Sequence, residues 1–338
     1  MTLKVLEFYS GIGGMHYASL LANWDCRILK AFDVNDIANR IYGYNFGNET
    51  IGQHLIEGLD AMYFDNWRAD VWTLSPPCQP YTRTGMQRAS HDPRSKSFIY
   101  LLHVLDVMNH RPTYILVENV KGFETSDSRD MLVRQLQKSG YYFQEFLLNP
   151  KAVLGMPNSR LRYYLLARLH PSFDGDGQLV DKLPSHLNAP SYPSCIGSYL
   201  TNEANLEEYS VPNKVLLKMG NVFDIVKATD VSSCCFTKGY SHYAQGTGSI
   251  LQTNLEVDTV EVFEAIEKAK QQGDDEKQIQ LYRSLKLRYF TPREIANLMG
   301  FPSDFNFPST VSKKQQYRTL GNSINVALVA QLMRYLVA

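Results

Sequence analysis

No run of apolar residues in this 338-residue chain approaches the ~20 needed to cross a bilayer. The opening "MTLKVLEFYSG" lacks the succession of basic stretch, apolar core and small-residue cleavage site that marks a secretory leader, so none is expected. Cysteine is scarce: 5 residues, at positions 26, 78, 195, 234 and 235, with no Cys-x-x-Cys spacing. This speaks against a disulfide framework and against a zinc site, and points to a reducing, intracellular setting. No internal repeat is visible. Net charge is zero, which by itself speaks against nucleic acid as partner, but the charges are unevenly spread. Residues 171–277 hold 16 Asp/Glu against 8 Lys/Arg, whereas residues 278–320 hold 7 Lys/Arg against 2 Asp/Glu. A neutral total therefore hides an acidic middle beside a basic strip that could meet phosphate.

A hydrophobic content of 44% and a charged content of 20% are those of an ordinary globular protein. Through residue 168, apolar runs alternate with amphipathic segments. "KVLEFY" (4–9), "CRILKAF" (26–32), "VWTLS" (71–75), "TYILVEN" (113–119), "YYFQEFLL" (141–148) and "LRYYLLAR" (161–168) read as strands. "MHYASLLANW", "DIANRIYGYNF", "SFIYLLHVLDVMNH" and "SRDMLVRQLQKSG" read as the helices between them. Such alternation predicts an α/β fold with a mostly parallel sheet, antiparallel only in its last one or two strands, and a ligand site at the carboxyl ends of its strands. Between about 170 and 200 the chain turns rich in Pro, Gly, Ser and Asp, as loops are. The expected organisation is a catalytic domain over 1–170, a smaller domain over 171–285 with a helix in "DTVEVFEAIEKAKQQ", and a segment over 286–338 whose apolar last helix packs back on the first domain.

Two strand ends carry chemistry. "LEFYSGIGGMHYASLL" is a strand, a glycine turn and a helix start, a shape that brings backbone close to a nucleotide-like ligand. A dinucleotide fingerprint needs a third glycine at position 16, which is His16, so the pyrophosphate reading fails there. Asp33, ending the next strand, can accept both hydroxyls of a ribose. Ribose without pyrophosphate fits S-adenosylmethionine. The second end is "LSPPCQPYTRTG". Pro76 and Pro77 restrict the backbone on one side of Cys78, and a polar loop over 79–97 with four basic residues follows it, surroundings that suit a nucleophilic thiolate. Glu118 and Asn119 finish the neighbouring apolar strand, where an unpartnered carboxylate would be costly as core filler. Arg160 and Arg162, two apart, share one face of a strand.

Taken in order, "FYSGIGGM", "FDVN", "SPPCQPY", "ENVKGF", "RLRYYL" and "LGNSINVALV" resemble the cytosine-5 methyltransferase family. Within it, "CCFTKGYSHYAQGTGSIL" (234–251) is similar to the branch that methylates the aspartate transfer RNA. The resemblance implies a Rossmann-like, mixed seven-stranded sheet with an inserted target-recognition domain. It implies that Cys78 attacks C6 of the target cytosine, that Glu118 bonds at N3 and the exocyclic amine, that Arg162 binds O2, and that Arg160 steadies a loop or a phosphate. For S-adenosylmethionine (product S-adenosylhomocysteine) it implies contacts from Ser10, Gly11, Ile12, Gly13, Gly14, Asp33, Val34, Ile56, Glu57, Ser75, Asn322 and Ser323. Substrate contacts are expected from Gln79, Tyr81, Thr82 and Arg83 in the loop, from Asn119, and from Cys235, Phe236, Thr237 and Lys238. Charge alone adds Arg288, Lys313, Lys314 and Arg318. The same resemblance implies cytosine 38 of the anticodon loop as target, no metal, no membrane, a monomer, and residence in the cytoplasm with the nucleus as a second compartment.

Three other functions stay open on the residues. A DNA cytosine-5 methyltransferase would use the same catalytic groups and bind DNA, at least weakly. A silent RNA- or cofactor-binding relative would keep the fold, although such relatives usually lose one of the cysteine, glutamate or arginines present here. A nicotinamide oxidoreductase would need the glycine that His16 replaces.

Overall fold

A computed structural model of the chain describes residues 2–77, 95–187, 190–202, 205–243 and 245–338. Its larger sheet contains β1 (Leu3–Phe8), β2 (Cys26–Phe32), β3 (Ile51–Gly52), β4 (Val71–Leu74), β5 (Tyr114–Val120), β6 (Tyr142–Leu148), β7 (Arg162–Arg168) and β8 (Leu179–Val180). They lie side by side in the order β3-β2-β1-β4-β5-β7-β6-β8. Only β7 runs against its neighbours, β5 and β6. The sheet has eight strands rather than the expected seven; its edges are the two-residue β3 and β8, too short to leave an apolar pattern in the sequence.

Connections are helical: α1 (Gly14–Leu21), α2 (Asp36–Phe46), α3 (Ala61–Asp65), α4 (Lys96–Val107), α5 (Asp127–Lys138) and α6 (Pro150–Leu154). Short polar side chains stop fraying where they cap: Asn35 accepts from the Ile37 and Ala38 amides, and Ser126 from that of Arg129. Strands alternate between two cores. In β5, Ile115 and Val117 face one apolar layer and Leu116 the other; in β7, Tyr163 and Leu165 face the first, Tyr164 and Leu166 the second. Both faces are covered, which is why these strands read as continuous apolar runs.

The insert carries α7 (Asn213–Met219), β9 (Asp224–Val226), β10 (Ser249–Gln252), α8 (Thr259–Gln271), α9 (Asp275–Ser284) and β11 (Leu287–Tyr289). Its strands form a separate sheet, β11-β10-β9, with a small core of Val211, Leu216, Ile250, Ile266 and Leu285. The chain then returns through α10 (Pro292–Leu298), α11 (Lys313–Gly321) and α12 (Val326–Val337). α12, apolar but for Gln331 and Arg334, buries every residue from Val326 to Met333 and packs on α1, β5 and β7, as a helix apolar on nearly all sides must. Among the described residues no helix is long and apolar enough to cross a membrane.

Candidate active site

Strand order reverses between β1 and β4, opening a crevice at their carboxyl ends. A cavity of about 490 Å³ lies there. Leaving β1, the chain turns sharply through Tyr9 and Gly11, at φ 58° and 55°, and Gly13, at φ 86°. A side chain at Gly13 would meet the Phe46 ring, and one at Gly14 would come within 2.7 Å of Ile324 Cγ1 and 3.1 Å of Ser323 Oγ. These two glycines therefore let the turn close against α2 on one side and the C-terminal segment on the other. His16 belongs to this packing: its ring stacks on Phe46 at 3.8 Å, its Nδ1 lies 2.8 Å from the Tyr42 hydroxyl, and burial lowers its pKa to about 4.

At the end of β2, Asp33 accepts the Gly11 amide on Oδ2 and the Asn35 amide on Oδ1, both at 2.8 Å. One carboxylate thereby ties the glycine turn to the α2 cap, and each oxygen keeps a further lone pair. Burial raises the Asp33 pKa, against hydrogen bonds from Asn35, Gly11 and Val34. Ser10, Gly11, Ile12, Gly14, Asp33, Val34, Ile56, Glu57, Ser75, Asn322 and Ser323 all line the cavity; Gly13 sits behind it as the hinge of the turn. The Ser10 and Ser75 hydroxyls are buried in its wall with no hydrogen-bond partner among the described residues. Val34 is 62% exposed and Ile56 is 5% exposed. A carboxylate with spare lone pairs, two unpaired hydroxyls and flanking aliphatic groups suit a nucleoside joined to an amino acid, so the residues fit S-adenosylmethionine.

The opposite wall is built by β5 and β7. Because β7 is antiparallel, its first residue, Arg162, pairs with Val120, and Tyr164 pairs with Glu118. The arginine that opens one strand thus reaches the carboxylate near the end of another, while Arg160, two residues before β7, acts on it only as a nearby charge. Arg162 Nε lies 3.6 Å from Glu118 Oε1. Burial raises the Glu118 pKa, opposed by the Arg162 and Arg160 charges. Asn119 also lines the cavity, with its amide donating to the Pro76 carbonyl at 3.3 Å, which pins the end of β4 beside β5. Pro76 and Pro77 line the cavity too. Cys78, Gln79, Tyr81, Thr82 and Arg83 lie outside the described residues.

Several expectations are corrected. Of the two roles expected of Arg160, a loop or a phosphate, its contacts leave no room for the phosphate: it is 3% exposed, and its amino groups donate to two chain segments, at the Cys235 sulfur (3.4 Å), the Phe236 carbonyl (3.1 Å), the Gly321 carbonyl (3.4 Å) and the Ser323 carbonyl. Phe236 is 2% exposed and packs on Tyr240 and Phe290, so it anchors the insert rather than touching a substrate. Thr237 and Cys235 lie behind the cavity wall, the first bonded through its amide to Thr247, the second against the two arginines. Lys238 does line the cavity and is exposed. Of the cations singled out by charge, Arg318 joins it, whereas Arg288 is buried in a two-pronged pair with Glu294 at 2.8 and 2.7 Å, and Lys313 pairs with Glu208. Lys314 is exposed away from the lining.

Sequence reasoning missed His54, Leu55 and Gly321. A Cβ at Gly321 would fall on the Thr237–Lys238 peptide, so this glycine is where the C-terminal segment and the insert interlock. The glycine ahead of Asn322 was the available signal. Among the described residues no group of three or more His, Cys, Asp or Glu is placed to hold a metal ion.

Residues 3–338 match the family described as C-5 cytosine-specific DNA methylase. A Schizosaccharomyces pombe protein named tRNA (cytosine(38)-C(5))-methyltransferase is 43% identical over 338 residues, covering 99% of this chain and 96% of its own length. Its namesake from Spodoptera frugiperda is 42% identical over 345 residues, covering 99% of each. The crystal structure of the S. pombe Dnmt2 methyltransferase superposes with a TM-score of 0.85 at 41% identity, across 100% of this chain and 98% of that one.

Proposed function

The chain belongs to the C-5 cytosine-specific DNA methylase family, and from that membership we propose that it methylates C5 of a cytosine in transfer RNA, namely cytosine 38 in the anticodon loop of the aspartate isoacceptor, with S-adenosylmethionine as donor. The observation that carries the reading is one cavity with the Gly11–Asp33 turn on one wall and Glu118 with Arg162 on the other.

S-adenosylmethionine supplies an electrophilic methyl carbon; Ser10, Gly11, Asp33, Ile56 and Ser323 would hold it. The chain's other groups make the base nucleophilic. Cytosine presents O2, N3 and the exocyclic amine along one edge. Arg162 donates to O2. Glu118, a carboxyl that burial biases toward its protonated form, donates to N3 and accepts from the amine, drawing electron density toward that edge. Cys78, next to Pro77, adds as a thiolate to C6, and the displaced electron pair makes C5 carbanion-like. After C5 is methylated, loss of its proton to a base and departure of the sulfur as thiolate restore the aromatic ring.

A base stacked in a helix cannot reach a crevice of this depth, whereas an anticodon loop offers unpaired bases at low cost. Lys238 and Arg318, exposed cations at the cavity, would meet the flanking phosphates. The test is incubation with labelled methyl donor and either total transfer RNA or duplex DNA, followed by mapping of the labelled base. Label at cytosine 38 of the aspartate isoacceptor is expected. Label on DNA with none on transfer RNA would overturn the substrate assignment, and full turnover by Cys78→Ala would overturn the covalent step.

A further inference from the structure

Behind the Glu118 wall stands a sulfur that the mechanism above does not use. Cys235 receives the Arg160 guanidinium at 3.4 Å and the Arg162 guanidinium at 3.7 Å. Both cations are largely removed from water, Arg160 at 3% exposure and Arg162 with a side chain at 15%. Among the described residues one carboxylate, Glu118, faces them, 3.6 Å from Arg162. Two desolvated cations against one acid leave an unbalanced charge, which a protein interior tolerates poorly.

We propose that Cys235 is a positioning residue carried as a thiolate, the counter-charge that balances Arg160 and Arg162 and thereby leaves Glu118 able to keep its proton. The idea rests on the role given above to Glu118, but the ionisation of Cys235 can be measured without that role. The groups facing the sulfur can be named from each side. Arg160, on the approach to β7, and Arg162, at its start, reach the sulfur itself; Tyr164 of β7 and Glu118 of β5 act on those two guanidiniums, and Cys234 adjoins Cys235 in the chain. Asp224 of β9 faces Cys234 instead. The neighbouring thiols therefore diverge. Burial opposes ionisation of Cys235, but Arg160 and Arg162 outweigh it and lower its pKa. Cys234, with partial desolvation and then Asp224 acting on it, is pushed up to about 11. Adjacent cysteines thus form a matched pair, one an anion and one not.

The logic for Glu118 is electrostatic. An anion a few ångströms behind the arginines weakens their combined pull on the Glu118 carboxylate. Replacing that anion with a neutral hydroxyl restores the pull, so Glu118 releases its proton at lower pH. Since methyl transfer uses the protonated carboxyl, activity should then fail earlier on the alkaline side.

Two measurements test this. The first is the thiolate ultraviolet absorbance of the wild type minus that of Cys235→Ser, titrated with pH. The difference is expected to persist at pH values where an ordinary thiol, with a pKa of about 8.5, is protonated. A difference that appears only near that ordinary value would overturn the proposal, and it requires neither substrate nor turnover. The second is the pH profile of kcat. In Cys235→Ser the alkaline midpoint is expected to move down by about one pH unit or more, the size of effect that a nearby unit charge produces. A lower kcat with an unmoved alkaline midpoint would leave Cys235 a packing residue only and overturn its link to Glu118. If the spectral result holds while neither protein methylates transfer RNA, the substrate reading fails and the thiolate stands.

Discussion

Glu7 is the most exposed to test of the buried groups, in the sense that a single isosteric change isolates its energy. It is the penultimate residue of β1, at 0% exposure, paired with Ala31 of β2 and Thr73 of β4. One carboxyl oxygen accepts the Tyr42 hydroxyl at 3.1 Å; the other has no partner among the described residues. Burial raises its pKa from 4.5 to about 8, opposed by hydrogen bonds from Tyr42 and the His16 backbone and reinforced by the Asp33 charge. The folded value lies above the unfolded one, so the native state binds the extra proton. This contribution to stability is complete below pH 4.5, declines as pH rises, and is gone above about 8. Each pH unit within that window costs about 1.4 kcal/mol, giving roughly 5 kcal/mol across it. Glu7→Gln supplies a permanently neutral side chain of the same shape that can still accept from Tyr42. Urea unfolding at a series of pH values should therefore show wild type losing about 1.4 kcal/mol per unit relative to the variant between pH 5 and 8. Glu7→Gln should be the more stable protein at pH 8 by several kcal/mol. Parallel stability curves for the two proteins, or a variant less stable at pH 8, would refute the reasoning. The consequence reaches the site, because Glu7 lies under the start of α1, whose Gly14 and Met15 line the cavity.

Three further outcomes follow from contacts at and around the cavity. Asp33→Ala removes the acceptor of the Gly11 amide together with the expected ribose contact, so S-adenosylhomocysteine affinity measured by calorimetry should fall ~10- to 100-fold while the melting temperature changes less. Gly321→Ala places a methyl group on the Thr237–Lys238 peptide, which cannot move as a flexible side chain could. Overpacking of about 1–3 kcal/mol should appear in thermal unfolding, together with weaker cofactor binding through the adjacent Asn322 and Ser323. Arg288→Ala strips the buried Glu294 of its partner and should cost about 3–5 kcal/mol in urea unfolding. Its effect on transfer RNA affinity should be no larger than partial unfolding explains, because the guanidinium is not at the surface.

The six longer strands of the large sheet and the helices α1, α2, α4 and α5 were legible because each satisfies one rule without competition, whereas β3, β8, α3 and α6 are too short to leave a period. The runs 26–32 and 36–46 coincide with β2 and α2, where apolar period and cap residue agree. α9 was not read at all: "DEKQIQLYRS" is polar nearly throughout, and of its two buried residues, Gln278 and Tyr282, one is itself polar, so the buried face leaves almost no apolar period. The cofactor side of the site was visible for a local reason, since a glycine turn and an acid at adjacent strand ends are set by sequence alone. The opposite wall depended on pairing. Arg162 meets Glu118 because β7 is inserted antiparallel beside β5, and 44 positions of sequence separate the two. Charge was the poorest guide. Arg288 and Arg318 look alike in the sequence, yet Glu294, six residues on, draws the first inward while the second stays at the cavity.

Arg160 explains why a long insert can sit between β7 and the C-terminal helices without disturbing the cofactor pocket. One side chain binds the insert, through the Cys235 sulfur and the Phe236 carbonyl, and the C-terminal segment, through the Gly321 and Ser323 carbonyls. Gly321 lies against Thr237 and Lys238 with no room for a side chain, so the two segments touch backbone to backbone. Asn322 and Ser323, on the cofactor side, and Lys238, on the side that would meet RNA, are thus separated by one shared peptide contact and one guanidinium. A lysine could supply a cation here, but not several donors in a fixed plane aimed at carbonyls of two segments. Arg160→Lys should therefore weaken cofactor and transfer RNA binding together, even though the charge is kept. Loss of RNA binding alone, with S-adenosylhomocysteine affinity unchanged in calorimetry, would show that the two halves of the pocket are held independently.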